Sequence, residues 1–185
     1  AGAQHVMYKG LNAAGIKKIR TNPHVKQMAT LCYYDAWNTP KGLTVNLLAA
    51  DAGILYMENT QLQSGRFPAR VGEVAMEGWV LDQLRLPRQP GQNLKISLQE
   101  KGGTGNYTLV GIIKDRLHEK STGQLEAFIA LNNENLTGNE NRLIALVEFK
   151  EGVKINEEIK QLGADLGLNP NPESGYVVPN KWLLS

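Results

Sequence analysis

The hydrophobic and polar positions divide the chain into terminal segments with long regular elements and a middle with many short ones. Near both ends, apolar residues recur every three to four positions, as in an amphipathic helix, or form runs rich in strand-forming residues. This pattern predicts helices over 9–20 and 155–166 and strands over 25–37, 143–149 and 176–178. Asn22-Pro23 ends the first helix, because helical backbone angles are disfavoured before a proline.

The middle of the chain carries short strands separated by turn residues. Strict alternation of polar and apolar residues over 93–98 is typical of a half-buried strand. The other elements predicted here are strands over 43–48, 73–76, 107–113 and 128–131, helices over 52–59 and 77–84, and a turn at 65–68. Short strands at such close spacing favour a β-rich unit.

These two patterns of predicted elements are compatible either with two consecutive domains or with one domain interrupted by an insertion. We favour the second arrangement, because the ends read as helix–strand and strand–helix–strand, whereas the middle is mostly strand. The predicted fold class is α+β. Residues 5–40 and 141–182 form a split α/β subdomain from both termini, and residues 41–140 form an inserted β-rich subdomain.

Composition narrows the class of protein without naming a function. Of 185 residues, 42% are hydrophobic and 21% charged, which is ordinary for a folded domain and unlike a disordered tail. A net charge of +2 offers little attraction to nucleic acid, so we expect no nucleic-acid partner. The single cysteine, Cys32, excludes an internal disulfide and a multi-cysteine metal site.

The sequence shows neither a signal peptide nor a membrane-spanning segment. The most apolar region, Leu43 to Met57, is interrupted by Asn46 and Asp51 and falls short of the roughly 20 apolar residues that a bilayer span needs. Because the chain begins without methionine, we expect a piece trimmed from a longer protein, and membrane segments could lie elsewhere in that parent.

Residues capable of chemistry do not form a recognisable catalytic pattern. The run Gly102 to Gly105 precedes a strand rather than a helix, so it predicts a hairpin turn and not a phosphate loop. The three histidines lack the spacing of a metal site and are interpreted as solvated. Cys32 lies inside a predicted strand and is expected to be a buried apolar residue. The mixed charges over 114–120 indicate a solvated loop. We therefore expect no enzyme activity, no cofactor and no metal.

The order of several short motifs is more informative than any one of them. The turn Gly65-Arg66-Phe67-Pro68 precedes a strand that begins at Glu73, then come a turn at Gly91 and a strand containing Gly111. In this order and spacing the chain resembles the MacB-like periplasmic (extracytoplasmic) core domain of FtsX-like ABC transporter permeases, over nearly its whole length. One departure is Gln92, which follows Gly91 where the family usually has aspartate, a harmless change at a turn.

The resemblance implies a porter-like split subdomain and mechanical work rather than chemistry. In that family a cytoplasmic ATPase drives the permease, and the outer domain moves with the membrane helices to export or handle peptides, antibiotics, toxins or lipoproteins. It implies as partners the chain's own transmembrane helices, a cytoplasmic ATPase subunit or domain, a second permease copy, and other envelope proteins. The implied location is the cell membrane, with this domain on the extracytoplasmic side. The isolated piece is expected to be a monomer.

The resemblance also selects seven motif residues, which we interpret as structural: Gly65, Arg66, Phe67, Pro68, Glu73, Gly91 and Gly111. Gly65 and Gly91 suit turns, and Gly111 allows a close approach of backbone to its strand. Phe67 is expected in the core of the inserted subdomain. Glu73 is expected to cap a turn or to pair with Arg66.

Two other functions remain open from the sequence. The first is an extracytoplasmic sensor or ligand-binding module for an antimicrobial peptide or a partner protein. Such a site could use Trp37 or Leu47-Leu48, although core packing is the commoner fate of these residues. The second, an enzyme, would need a pocket with converging polar groups that the sequence does not reveal.

Overall fold

The described chain divides into two compact units, each built from segments that are not consecutive in the sequence. In a computed structural model, residues 2–184 are described, apart from the side chains of Thr137 and Trp182. The first unit comprises Ala1–Cys32, Gly53–Asn59 and Asn133–Ser185, and the second comprises Tyr33–Ala52 and Thr60–Asn132. The first unit thus includes residues from both ends of the chain.

Ten strands and seven α-helices follow one another in a mixed order along residues 2–184. The strands are β1 (Val6–Leu11), β2 (Val25–Asn38), β3 (Thr44–Ala50), β4 (Leu62–Gly65), β5 (Glu73–Glu77), β6 (Asn93–Ser97), β7 (Thr104–Ile113), β8 (Glu126–Ala130), β9 (Leu143–Phe149) and β10 (Val177–Pro179). The helices are α1 (Ala13–Arg20), α2 (Gly53–Met57), α3 (Gly78–Gln83), α4 (Leu117–Thr122), α5 (Asn133–Gly138), α6 (Ile155–Asp165) and α7 (Lys181–Leu184). Helices and a mixed sheet make the protein α+β, as predicted.

In the first unit, the strand order is β10-β1-β9-β2, and all neighbours are antiparallel. Helix α1 begins at Ala13 because the Asn12 side chain accepts a hydrogen bond from the Gly15 amide at 2.9 Å. The buried Tyr8 hydroxyl donates to the Ile159 carbonyl of α6 at 2.8 Å, and this bond joins the sheet to the helix. The first strand, β1, and the last strand, β10, therefore belong to one sheet, and α6 is bonded to that sheet.

In the second unit, the strand order is β2-β3-β8-β5-β7-β4, with β6 also paired to β7. The pairs β3–β8 and β5–β7 are parallel, and β5–β8, β4–β7 and β6–β7 are antiparallel. Strand β8 is buried throughout, as expected for a central strand between β3 and β5. The strand β2 contributes to both units, since residues up to Cys32 lie in the first and those from Tyr33 in the second.

The structure corrects several boundaries. The helix predicted over 9–20 begins only at Ala13, because residues 6–11 form β1 and pair with β9 and β10. The predicted division into 5–40 with 141–182 and 41–140 remains a prediction. The observed units differ from it at residues 33–40, which lie in the second unit, and at residues 53–59 and 133–140, which lie in the first. Within the described residues, no helix is long and apolar enough to cross a bilayer.

Candidate functional site

Two of the motif glycines lie opposite each other where β4 meets β7. Gly65 pairs with Gly111 in antiparallel register. A Cβ atom on Gly65 would overlap the carbonyl oxygen of Val110, and one on Gly111 would overlap that of Arg66. Gly65 also has φ of 72°, a left-handed angle that disfavours other residues. The close backbone approach predicted for Gly111 is therefore present, and it requires glycine on both strands.

The Glu73 side chain forms hydrogen bonds that hold the loop between β4 and β5. Its Oε1 accepts hydrogen bonds from Arg66 Nη1 at 2.8 Å and from the backbone amides of Ala69 and Arg70, both at 2.9 Å. A second bond joins Arg66 Nη2 to Glu73 Oε2. Both contacts predicted for Glu73, the cap and the ion pair, are confirmed. The hydrogen bonds from Arg66 lower the pKa of Glu73 to about 2, against the opposing effect of burial.

The remaining motif residues either pack in the core or lie in a turn. Phe67 is 8% exposed and packs on Phe128, with ring centroids 6.0 Å apart, so its predicted core position is confirmed. Pro68 beside it is buried. Gly91 has φ of 102° in the turn before β6 and donates its amide to the Leu109 carbonyl at 2.7 Å. These contacts are of the kind that hold a fold, and the structural role of the seven residues stays our prediction.

A buried cluster of charges, which we call the Arg116 cluster, consists of Arg116, Glu77, Glu119 and Glu126. Arg116 Nη2 donates to Glu77 Oε2 at 2.9 Å and to Glu126 Oε1 at 2.7 Å, and Glu119 Oε1 lies 3.5 Å from Nη1. The Arg116 guanidinium also lies over the Phe128 ring, 5.2 Å from its centroid. The solvated loop predicted over 114–120 is wrong at this point, because Arg116 is 7% exposed and α4 begins directly after it.

Burial and the neighbouring charges shift the pKa values of Arg116 and Glu126 for different reasons. Burial alone would lower the pKa of Arg116, but the carboxylates of Glu77 and Glu126 outweigh it and raise that pKa. Burial raises the pKa of Glu126, and the Arg116 charge offsets only part of this rise. One guanidinium thus faces three carboxylates, and ionising Glu126 costs the folded state free energy.

Other predicted residues occupy structural positions. Cys32 is fully buried, as predicted, and the hairpin predicted at residues 102–105 joins β6 to β7. The solvated position predicted for His5 is wrong, because its ring is partly buried and Nδ1 accepts the Phe149 amide at 2.9 Å. Among the described residues, no group of three or more His, Cys, Asp or Glu could hold a metal ion.

The second unit contains an apolar cavity of 240 Å³ at the end of β2. This Trp37 cavity is lined by Trp37, Thr39, Pro40, Lys41, Leu84, Leu86, Asn93, Leu94 and Lys95. Its walls come from the β2–β3 loop, the end of α3 and strand β6. The sequence indicated Trp37 as one of two possible binding surfaces. Most of the other residues that line the cavity are distant from Trp37 in the sequence, so they could not be predicted. The other surface, at Leu47-Leu48, is not supported at Leu47, which is fully buried.

The first unit contains a second apolar cavity, of 370 Å³, between α6 and the chain that leads to β10. Its lining includes Ile159, Gly163 and Val177, with Lys160 as its one charged residue. A Cβ on Gly163 would meet Val177 and Tyr8 at ordinary contact distances. Neither cavity brings together polar groups arranged as a nucleophile and a base.

Comparison with solved structures relates the fold to domains of membrane transporters. The extracellular domain of the noncanonic ABC-type transporter YknZ from Gram-positive bacteria matches with TM-score 0.64 and 11% identity, over 96% of this chain and 99% of that one. The periplasmic region of MacB from Actinobacillus actinomycetemcomitans matches with TM-score 0.64 and 11% identity, over 88% and 84%.

A domain of a putative permease protein from Porphyromonas gingivalis matches with TM-score 0.60 and 16% identity, over 95% of this chain and 78% of that one. No protein-family model matches the sequence, and no curated protein matches it significantly. The resemblance stated from the motifs is confirmed at the level of the fold, which is that of MacB-like extracytoplasmic domains.

Proposed function

We propose that this chain is the extracytoplasmic domain of an ABC transporter permease. In this proposal it couples ATP hydrolysis on the cytoplasmic side to the export or handling of peptides, antibiotics, toxins or lipoproteins outside the membrane. The supporting observation is the match to the YknZ extracellular domain, in which each chain covers almost all of the other. Such mutual coverage means that the whole architecture is shared, not a common sheet motif alone.

The position of the chain ends gives independent support. The Asn180 backbone amide donates to the His5 carbonyl at 2.9 Å, and the Asn180 side-chain amide donates to the Gln4 carbonyl at 2.9 Å. Strand β1 also pairs with β10. A domain inserted between two membrane helices needs its entry and exit close together, and this arrangement provides them.

The proposal includes the partners and location that the fold suggests. The parent protein would carry transmembrane helices next to this domain, associate with a cytoplasmic ATPase, and form a homodimer in the cell membrane with this domain outside. The domain itself would perform no chemistry and use no cofactor. In this proposal Arg66 and Glu73 serve to hold a loop, through the hydrogen bonds that Glu73 accepts from Arg66 and from two backbone amides.

A second candidate function is a sensor or binding module for a peptide or a partner protein. The Trp37 cavity favours it, because a lined apolar cavity with charged residues at its edge is typical of a ligand site. Both functions can coexist in one domain, since a permease has to recognise its cargo.

A fluorescence measurement on the parent protein tests the coupling. The variant Lys150→Cys, at an exposed position after β9, is labelled with a donor or an acceptor dye and reconstituted in lipid nanodiscs with its ATPase. We expect energy transfer between the two copies to change when ATP is trapped with vanadate and to return with ADP. The unmodified chain is the labelling control, because its only cysteine is buried.

A parent protein without membrane spans next to this domain would contradict the proposal. So would energy transfer that stays the same in every nucleotide state. An ATPase variant that binds but does not hydrolyse ATP should hold the transfer at the ATP value without returning.

A further inference from the structure

Trp37, which lines the Trp37 cavity, carries an indole N–H that has no hydrogen bond within the described residues. Trp37 is 5% exposed, and its indole Nε1 is buried with no acceptor among the described residues. The other tryptophan whose side chain is described, Trp79, donates its indole Nε1 to Glu77 Oε1 at 3.4 Å. Buried indole N–H groups usually have a partner. The Trp37 indole is therefore a distinctive reporter of changes at this wall of the cavity.

The charges at the cavity are of one sign. Lys41 and Lys95 line it, and no acidic residue does. Within the described part of the chain, neither lysine forms an ion pair. The remaining walls are mainly apolar, from Pro40 and three leucines. A ligand that matches these features combines an apolar group with an anion.

The loops around the cavity are held in place without a ligand. Thr39 Oγ1 donates to the Leu43 carbonyl at 2.9 Å and accepts the Leu43 amide at 3.0 Å, which closes the β2–β3 loop. The buried Asp35 accepts the backbone amides of Glu100 and Lys101 at 2.9 and 3.0 Å, beside the bridge between Trp37 and Leu98. A site that is already ordered loses less entropy on binding.

The volume limits the size of the occupant. Cavities for whole drug-sized molecules span about 300–1,000 Å³, and this one has 240 Å³. It is therefore suited to one side chain with its neighbouring polar groups and not to a long acyl chain. An apolar side chain next to a carboxylate occurs at the C-terminus of a peptide.

We propose that the Trp37 cavity binds the apolar C-terminal residue of a peptide. The side chain lies among Leu84, Leu86 and Leu94, beside the Trp37 ring, and the terminal carboxylate lies near Lys41 and Lys95. As the cargo-recognition site of a transporter, this inference rests on the proposed function. The binding itself depends only on residues of the second unit.

Nuclear magnetic resonance of the ¹⁵N-labelled chain tests the site directly. The Trp37 indole signal is assigned by its loss in Trp37→Phe, and the probe is N-acetyl-Gly-Leu with a free carboxylate. We expect a saturable shift of that signal with Kd on the order of 1 mM, the strength typical for a ligand of this size. The same peptide with a C-terminal amide should bind several-fold more weakly, because it lacks the charge.

Variants separate the contributions of the cavity. Lys41→Gln and Lys95→Gln should each raise Kd about two- to five-fold, the usual effect of an exposed charge pair. Lys17→Gln, an equally exposed lysine on α1 in the first unit, is the matched control and should leave Kd unchanged. The remaining amide signals show whether each variant keeps the fold.

Three results would overturn the inference: no saturable shift at Trp37, equal binding of acid and amide, or tighter binding of octanoate than of the peptide. The last would indicate a fatty-acid site. Because this test uses the isolated chain and the energy-transfer test uses the parent protein, either proposal can fail while the other stands.

Discussion

Two ion-pair clusters of the second unit, one around Arg66 and one around Arg116, differ in burial and in the sequence distance between their members. Arg66 and Glu73 are seven residues apart and join across one loop, with the Arg66 side chain 52% exposed. Arg116 lies 39 residues from Glu77 and 10 from Glu126, and its side chain is 6% exposed. The first cluster holds a loop at the surface, whereas the second holds the end of β5, the start of α4 and β8 together.

The difference in burial determines which of these interactions should matter for the free energy of unfolding. An exposed pair gains little, because water screens it and both side chains lose freedom. A buried cluster is costly to assemble, and removing one partner leaves the others as unpaired buried charges. We therefore expect the two arginines to differ strongly when each is replaced by the same apolar residue.

The largest effect is expected for Arg116→Met. It should destabilise the chain by about 3–5 kcal/mol, because Glu77 and Glu126 would remain buried without their cation. Urea unfolding followed by tryptophan fluorescence measures the change. Arg66→Met is the matched control and should move the midpoint far less. Equal shifts for the two variants would remove the distinction between the clusters.

If Arg116→Met does not fold, the less disruptive variant Arg116→Lys can be compared with Arg66→Lys instead. It keeps the charge but loses the planar pair of donors that reaches Glu77 and Glu126 together. We expect a smaller loss of stability than for methionine, again exceeding that for Arg66→Lys.

An intermediate effect with a specific pH dependence is expected for Glu126→Gln. The folded-state pKa of Glu126 is raised, so its contribution to stability is fully present below the unfolded pKa near 4.5 and is lost as the pH rises through the folded pKa. The stability of the wild-type chain relative to the glutamine variant should thus fall from pH 4.5 to pH 7. Urea unfolding at a series of pH values measures it. A relative stability that rises over this range would contradict the assignment.

The smallest effect is expected for Glu73→Gln, with the opposite pH dependence. Because the folded-state pKa of Glu73 is lowered to about 2, its contribution is present above pH 4.5 and disappears as the pH falls towards 2. At pH 7 the variant should lose no more than about 3 °C in Tm, since the pair is at the surface. Thermal unfolding from pH 3 to 7 should show the difference from wild type shrinking with acid. A constant difference would mean that Glu73 acts through packing and not through its charge.

The same contrast explains what the sequence could predict. Strand β9 was predicted with its observed bounds, because a continuous apolar run carries its own signal. The Glu73 contacts were also within reach, since cap, turn and partner lie close in the chain. Residues 6–11 were missed as a strand, because β1 is defined by pairing with β9 and β10 from the other end of the chain.

The buried charges and the cavity were harder to predict for the same reason. Arg116 sits in a run of mixed charge that is typical of a solvated loop, and only the partners from β5 and β8 bury it. The Trp37 cavity takes its walls from three separate segments, so the sequence could name Trp37 but not its neighbours. An unsatisfied indole N–H is a property of the folded chain and has no local sequence signal.

The side of the membrane on which this domain lies decides whether the proposed function is right. The parent protein carrying Lys150→Cys is expressed in its native cell and treated with a membrane-impermeant maleimide, and the unmodified parent serves as the background. An extracytoplasmic domain predicts full labelling of the variant in intact cells, after outer-membrane permeabilisation where such a membrane exists. Labelling that requires lysis of the inner membrane would contradict the account.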